Sequence, residues 1–357
     1  MRSMRLLIAS LFLLAGCAGM IGSERDVLEA TGRYQELEQH MEARVKGTGT
    51  VKTSDLFPLC LAYSKTKRYS KLFPCLDRFE QNIRRGDKLD LFGEGKLMTL
   101  PSDISPMPHL LRAEAYMELQ DYDRALKEAE KAYSVVPSGY SYSIHSGTSL
   151  RIKALATLSM VHAFRGDRAS AEKYRRLLEE LDIEFVGSIP KEKERRLSLA
   201  KIYMSLGEFS AALEKLKSDS GFASFAQGLT NISILGASSQ EKNLFAYADL
   251  PNTFMHQKAL LETGRVSEAK DGYDRLLAVH QTQENGEIYW LMLFDRGRIA
   301  EKENNRQQAI ELYRKAVEVI EAQRASISTE ASKIGFVGDK QAVYQRLIAT
   351  LFADGQY

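Results

Sequence analysis

Beyond the first twenty residues, apolar side chains return at intervals of three and four, in runs of about twelve to eighteen residues broken by Gly, Pro or Asn. That spacing gathers the apolar positions on one face of a helix, and no stretch alternates as a half-buried strand would. The pattern predicts an all-α chain of amphipathic helices. The first twenty residues differ. Arg2 and Arg5 precede an apolar run from Leu6 to Leu14, followed by small residues and Cys17. A basic start, a short apolar segment and a small-residue site describe an export signal. The run is short for a membrane span, which needs about 20 apolar residues. Stretched through Ile21, it becomes a marginal anchor, and that is the alternative.

The clearest helical unit is His109–Pro137. It sets Ala113, Tyr116, Leu119, Tyr122, Ala125, Ala129, Ala132 and Pro137 at offsets that resemble a tetratricopeptide repeat. Small residues at Ala113, Ala125 and Ala132 let two antiparallel helices touch. Tyr116 and Tyr122 are expected to fill the joint, and Pro137 to stop the second helix. Copies follow at Leu158/Gly166/Asp167/Ala171, at Leu199/Ala200/Tyr203/Gly207/Phe209/Ala212, at Leu260/Gly264/Val266/Ala269/Tyr273, and at Gly297/Ala300/Ala309/Tyr313/Ala316. Tyr63, Tyr69, Leu72 and Leu76 mark a degenerate copy upstream, and Gly32, Tyr34 and Leu37 a partial cap. Insertions fall at Gly86–Pro108, Pro137–Thr148 and Ser218–Asn252, the middle one carrying Tyr140 and Tyr142 in a polar loop. A lone hairpin cannot bury its apolar face, so the hairpins are expected to stack into a right-handed α-solenoid.

The stretch Leu14-Ala15-Gly16-Cys17 resembles the lipobox of bacterial lipoproteins. That resemblance implies cleavage before Cys17, a diacylglyceryl group on its thiol and an acylated amino terminus. Ala18 after the cysteine points to the outer membrane, with the protein facing the periplasm. Several acyl chains hold firmly where one holds weakly, at about 0.8 kcal/mol per buried CH₂. Of the three cysteines, lipidation of Cys17 leaves Cys60 and Cys75 in an oxidising compartment, on successive helices of one hairpin. Either they form a disulfide or they are two small buried hydrophobes with misaligned Cβ vectors.

The composition, 44% hydrophobic and 27% charged with 8 Pro in 357 residues, excludes a disordered, collagen-like or disulfide-dense chain. Removal of residues 1–16 leaves 47 basic against 47 acidic residues, so no basic field marks nucleic acid as a partner. The six His residues (40, 109, 145, 162, 256, 280) show no metal-ligand spacing, and no Gly-x-Ser-x-Gly elbow occurs. Gly93-Glu94-Gly95-Lys96 lacks the upstream Gly and the following Ser or Thr of a phosphate loop. Neither an enzyme activity, a cofactor, a metal nor a small-molecule substrate is expected.

The inner groove is the default binding surface of such a solenoid. Position nine of the first repeat helix holds Lys201, Lys258 and Arg298 in successive copies, with Phe254 and Phe294 nearby. A cationic stripe with aromatic neighbours suits an acidic peptide or a terminal carboxylate. The alternative is a solvated helix face.

From Tyr289 to Leu351 the chain runs through Leu293-Phe294-Asp295-Arg296-Gly297-Arg298 and on through Ser332-Lys333-Ile334-Gly335-Phe336-Val337-Gly338-Asp339-Lys340. This is similar to the linker that precedes the CHAT domain, a caspase-like peptidase fold, in tetratricopeptide proteins that carry one. The resemblance implies a domain with a His and Cys dyad beyond this region, and no residue up to Tyr357 can be assigned to that dyad. As a solenoid end, Ile310–Ile327 prolongs the last repeat helix, Gly335 and Gly338 break it, and Asp339 can cap a new helix. That helix has an apolar face of Val343, Leu347, Ile348 and Leu351, which folds back as a cap or lies bare for docking.

The expected division is a signal peptide over 1–16, degenerate repeats and a loop over 17–106, the solenoid over 107–326, and a linker with a capping helix over 327–357. The expected function is a lipid-anchored scaffold for protein or peptide partners in the cell envelope. The alternative is the sensor part of a CHAT-type protease.

Overall fold

The computed structural model describes residues 24–30, 32–47, 51–87, 89–90, 101–137, 147–183, 188–217, 250–279, 282–283, 285–325, 327 and 340–355. Cys17 and its lipobox, the Tyr140/Tyr142 loop, most of the insertion before Asn252 and the two glycines of the 328–339 linker lie outside them.

Helices follow one another in antiparallel pairs: α1 (Glu24–Ala30) with α2 (Tyr34–Val45), α3 (Thr53–Lys65) with α4 (Tyr69–Arg84), and α5 (Met107–Glu118) with α6 (Tyr122–Ser134). Next come α7 (Gly147–Phe164) with α8 (Arg168–Glu179), α9 (Ser188–Ser205) with α10 (Phe209–Lys217), α11 (Leu250–Glu262) with α12 (Val266–Leu277), and α13 (Gly286–Lys302) with α14 (Arg306–Arg324). A last helix, α15 (Gln341–Ala353), lies on α14. The insertion between α4 and α5 adds one strand feature, a two-residue antiparallel pairing of Leu89 with Ser102 and Asp90 with Pro101.

Every one of these pairs turns in the same way. The second residue after the first helix takes a left-handed φ at Gly32, Lys67, Gln120, Gly166, Gly207, Gly264 and Asn304. The next amide donates back five residues, as from Arg68 to the Tyr63 carbonyl at 2.9 Å and from Asn305 to the Ala300 carbonyl at 2.9 Å. This is the Schellman close of a helix, which satisfies carbonyls that would otherwise be orphaned. Asp121, Asp167 and Asn305 then cap the second helix by accepting from the amide three residues on. The two upstream pairs share this turn and are full hairpins.

First helices pack along the row onto the first helices of the next pair, whereas second helices splay apart. The row therefore curves with the first helices inside, as an α-solenoid. Close approach rests on small residues. Ala113, Ala125, Ala129 and Ala132 are fully buried. At Gly297, a Cβ would lie 2.4 Å from the Tyr313 ring. Tyr116 and Tyr122 do something other than fill their own joint. Tyr116 stacks on Phe73 of the preceding hairpin, and Tyr122 on Phe164 of the following one, so both rings bridge hairpins. The second helix of that unit ends at Ser134, three residues short of Pro137.

Two helices carry an internal proline, Pro58 in α3 and Pro74 in α4. Pro58 has no N–H for the Ser54 carbonyl one turn back. Arg25 of α1 donates to that oxygen at 3.2 Å, tying the first hairpin to the second. Cys60 and Cys75 are joined by a disulfide that links α3 to α4, with their Cα atoms 5.7 Å apart and both residues buried.

At the far end, α15 buries Val343 and rests Leu347 on the α13/α14 core, while Ile348 and Phe352 stand exposed. The predicted apolar face is thus split between a cap and a bare side. α14 ends at Arg324, and α15 begins after Lys340, which forms no side-chain cap. Lys340 is buried with its ammonium over the Trp290 ring, 3.9 Å from Glu118 Oε1. The other oxygen of Glu118 holds Lys67 at 2.9 Å. The core of the first hairpins accordingly continues into Trp290, Leu293, Ile327 and Val343. The last unit thereby meets the third hairpin.

Candidate interaction groove

The groove cations sit on first helices of successive hairpins, Lys201 on α9, Lys258 on α11 and Arg298 on α13. Lys201 is exposed. Lys258 and Arg298 converge on two carboxylates. Lys258 Nζ lies 2.9 Å from Asp295 Oδ1 and 3.0 Å from Glu262 Oε1. Arg298 Nη1 donates to the same two oxygens at 2.9 and 2.7 Å. Asp295 is wholly buried, and its second oxygen accepts from the Tyr273 hydroxyl at 2.9 Å. Two cations and two anions thus form a closed square rather than a cationic stripe.

The electrostatics follow from burial. Desolvation pushes the Glu262 carboxyl up, but the hydrogen bond from Arg298 and the charge of Lys258 outweigh it and hold that carboxyl below its usual range. Desolvation works against the Arg298 charge too, and Glu262 and Asp295 more than offset it, so the guanidinium stays firmly protonated. Burial, then the Asp295 charge, drive the Tyr273 phenol well above its ordinary value, so it donates. Phe254 is buried against Tyr273, their ring centroids 6.4 Å apart. Phe294 is half-buried between the Tyr313 ring at 5.8 Å and the Arg298 guanidinium at 5.9 Å. Both aromatics support the square more than they line an open slot.

A second charged cluster joins the second and third hairpins. The buried His109 meets Glu128 through Nδ1 at 2.7 Å, and the buried Arg112 reaches Glu80 at 2.7 Å and Asp77 at 2.6 Å. Burial raises the Glu80 carboxyl, yet hydrogen bonds from Arg112 and Arg84 bring it down to about 2. A tyrosine-to-carboxylate bond also recurs between neighbouring helices: Tyr63 to Glu42, Tyr203 to Glu179, Tyr273 to Asp295, Tyr313 to Glu301 and Tyr344 to Glu321. The sequence marks Tyr63, Tyr203, Tyr273 and Tyr313 as packing residues but hides these partners, which lie across helices.

Among the described residues, no group of three or more His, Cys, Asp or Glu side chains could hold a metal ion. His162 stacks on Tyr174 and pairs with Asp167, and His40 lies 3.5 Å from Glu24, both in structural roles. No helix among the described residues is long and apolar enough to cross a membrane.

No curated protein matches the chain. Among solved structures, the crystal structure of the APC/C hetero-tetramer Cut9-Hcn1 is similar over 95% of this chain and 89% of that one, at 13% identity and a TM-score of 0.22. At that score the likeness adds nothing to the fold described above. Family models described as tetratricopeptide repeat match residues 254–326 and residues 109–137. The chain therefore contains tetratricopeptide repeats, and such repeats point to protein partners.

Proposed function

We propose that this chain is an exported, lipid-anchored scaffold that holds protein or peptide partners at the cell envelope of a bacterium. The observation that carries the reading is the row of repeat hairpins set a few residues behind a lipobox-like Cys17. The buried disulfide between α3 and α4 supports an oxidising compartment, because reduced thiols are the rule in the cytosol. The outer membrane, with the repeats facing the periplasm, follows from Ala18 after the cysteine.

The partner surface is the curve around Lys201, Lys258 and Arg298, and its chemistry favours a carboxylate. Glu262 stands in for the ligand, since both cations share its Oε1. An acidic group of a partner enters by displacing Glu262, leaving Asp295 as the buried counter-charge. Labelling of cells with radioactive palmitate tests the anchor. Cys17→Ser should abolish label and release the protein from membranes, and firm attachment of that variant refutes the anchor. Cross-linking and pull-down from cells then test the scaffold. Glu262→Gln should strengthen capture of the native partner and Lys258→Glu should abolish it. Equal capture by both variants returns the square to a structural role.

The second reading is the sensor part of a longer CHAT-type protease. It rests on the likeness of residues 289–351 to the linker of such proteins and on the apolar Ile348 and Phe352, which stand exposed on α15. The intact mass of the native protein separates the two readings, since a mass tens of kilodaltons larger favours the second.

A further inference from the structure

We propose that the edge of the first two hairpins from which the chain's amino-terminal segment emerges is a docking surface for anionic phospholipid headgroups. The inference rests on the lipid-anchor reading for its setting, and its test is separate from that reading. Between Cys17 and the start of α1 at Glu24 lie seven residue steps, which span at most about 25 Å when fully extended. An anchored first hairpin is therefore held at the bilayer whatever the rest of the solenoid does.

Three contacts show which edge that is. Arg25, in the first turn of α1, donates to the Ser54 carbonyl at the start of α3. Asn82, near the end of α4, donates to the Val51 carbonyl at 2.7 Å. Asp87, just after α4, accepts from the Thr53 amide at 2.8 Å. The start of α1, the start of α3 and the end of α4 thus share one edge, and the α2–α3 connection ends on it.

That edge and its connection are basic and exposed. Lys46 and Lys52 lie on the connection, and Arg84 and Arg85 at the end of α4. Arg44 is paired with Asp55 at 2.6 Å, and Arg84 with Glu80, which Arg112 also holds; the remaining charges are Arg25, Lys46, Lys52 and Arg85 against the exposed Glu24 and Asp87, the latter keeping its charge while accepting from the Thr53 amide.

A Lys or Arg near an anionic bilayer contributes about 1 kcal/mol, a factor of about five in binding, and the effect falls off within a Debye length. Four such residues bind weakly on their own. A short tether changes the outcome, because it raises the local concentration of the surface into the millimolar range. The edge then sets the orientation of an anchored molecule, with the first two hairpins against the headgroups.

The experiment uses the chain from residue 17 onward carrying Cys17→Ser, so that no acyl chain contributes. Sedimentation with vesicles of phosphatidylglycerol and phosphatidylcholine in equal parts, and with phosphatidylcholine alone, measures binding at low and high salt. Binding to the anionic vesicles alone, lost at high salt, is expected. The triple variant Lys46→Glu/Lys52→Glu/Arg85→Glu should lose at least about 100-fold, three charges at about five-fold each. The matched triple Lys127→Glu/Lys173→Glu/Lys302→Glu, elsewhere on the solenoid, should bind as the parent does. Unchanged helix content and urea midpoint confirm that both variants fold. Equal binding by the two triples, or equal binding to neutral vesicles, overturns the proposal. Palmitate labelling reads the anchor independently: label at Cys17 without vesicle binding overturns the docking edge, and vesicle binding without label supports it while removing the anchor.

Discussion

Gly297 offers the sharpest test of how the repeats pack. Replacing an interior helical glycine by alanine ordinarily stabilises a helix by about 1 kcal/mol. Here the new methyl would sit 2.4, 2.7 and 3.0 Å from Cε1, Cδ1 and Cζ of Tyr313. The ring must retreat by roughly 1 Å to reach ordinary carbon contact at about 3.5–4.0 Å. It has little room, being fully buried, packed against Phe294 and tied through its hydroxyl to Glu301 at 2.8 Å. Overpacking of this kind costs about 1–3 kcal/mol. Gly297→Ala is therefore expected to destabilise by about 1 kcal/mol net, the clash outweighing the propensity gain. Trp290, the single tryptophan, lies on the same helix and reports the unfolding of this hairpin by fluorescence in urea. In a Tyr313→Leu background the clash is gone, and the same substitution should stabilise. Gly286 is the control, since its Cβ would press on the flexible end of Gln323 and meet Val319 at an ordinary 3.7 Å. A Gly297→Ala protein as stable as the parent, or the same sign of effect in both backgrounds, refutes the packing argument.

Gln120 holds a left-handed φ of 56° in the turn between α5 and α6, where three other hairpins use glycine after a longer first helix, so Gln120→Gly should raise stability by about 1 kcal/mol in the same urea assay. The disulfide closes a loop of 15 residues, and Cys60→Ala/Cys75→Ala should cost about 3 kcal/mol, while the parent resists alkylation until it is unfolded and reduced. Glu80 predicts acid sensitivity. Its folded pKa lies below the ordinary 4.5, so its contribution is complete above pH 4.5 and is lost as the pH falls towards about 2. Thermal midpoints measured across that window should fall for the parent and fall less for Glu80→Gln.

The five clear repeats were legible because their small residues recur in register, three of them with a glycine at the turn. The second hairpin was harder to read for definite reasons. Lys67 occupies the turn position where Gly166, Gly207 and Gly264 stand in other copies, and Pro58 and Pro74 interrupt both of its helices. Only the fold shows that Arg25 supplies the donor that Pro58 lacks. At the groove, part of the answer was present in the spacing. Glu262 follows Lys258 by four residues and Asp295 precedes Arg298 by three, the separations at which helical side chains meet. The convergence of both pairs on one square was not legible, because it depends on how α11 and α13 lie side by side. The tyrosine bonds were hidden for the same reason.

The meeting of Lys340 with Glu118 changes how the molecule comes apart. In an open solenoid each unit touches only its neighbours, so the ends fray first and stability is nearly a sum of local pieces. Here the last unit leans on the third, and an end cannot melt without also releasing a contact near the start of the row. Unfolding thereby gains a long-range cooperative element. A local opening between the third hairpin and the last unit leaves those two still in contact, and refolding of the intervening hairpins finds them already close.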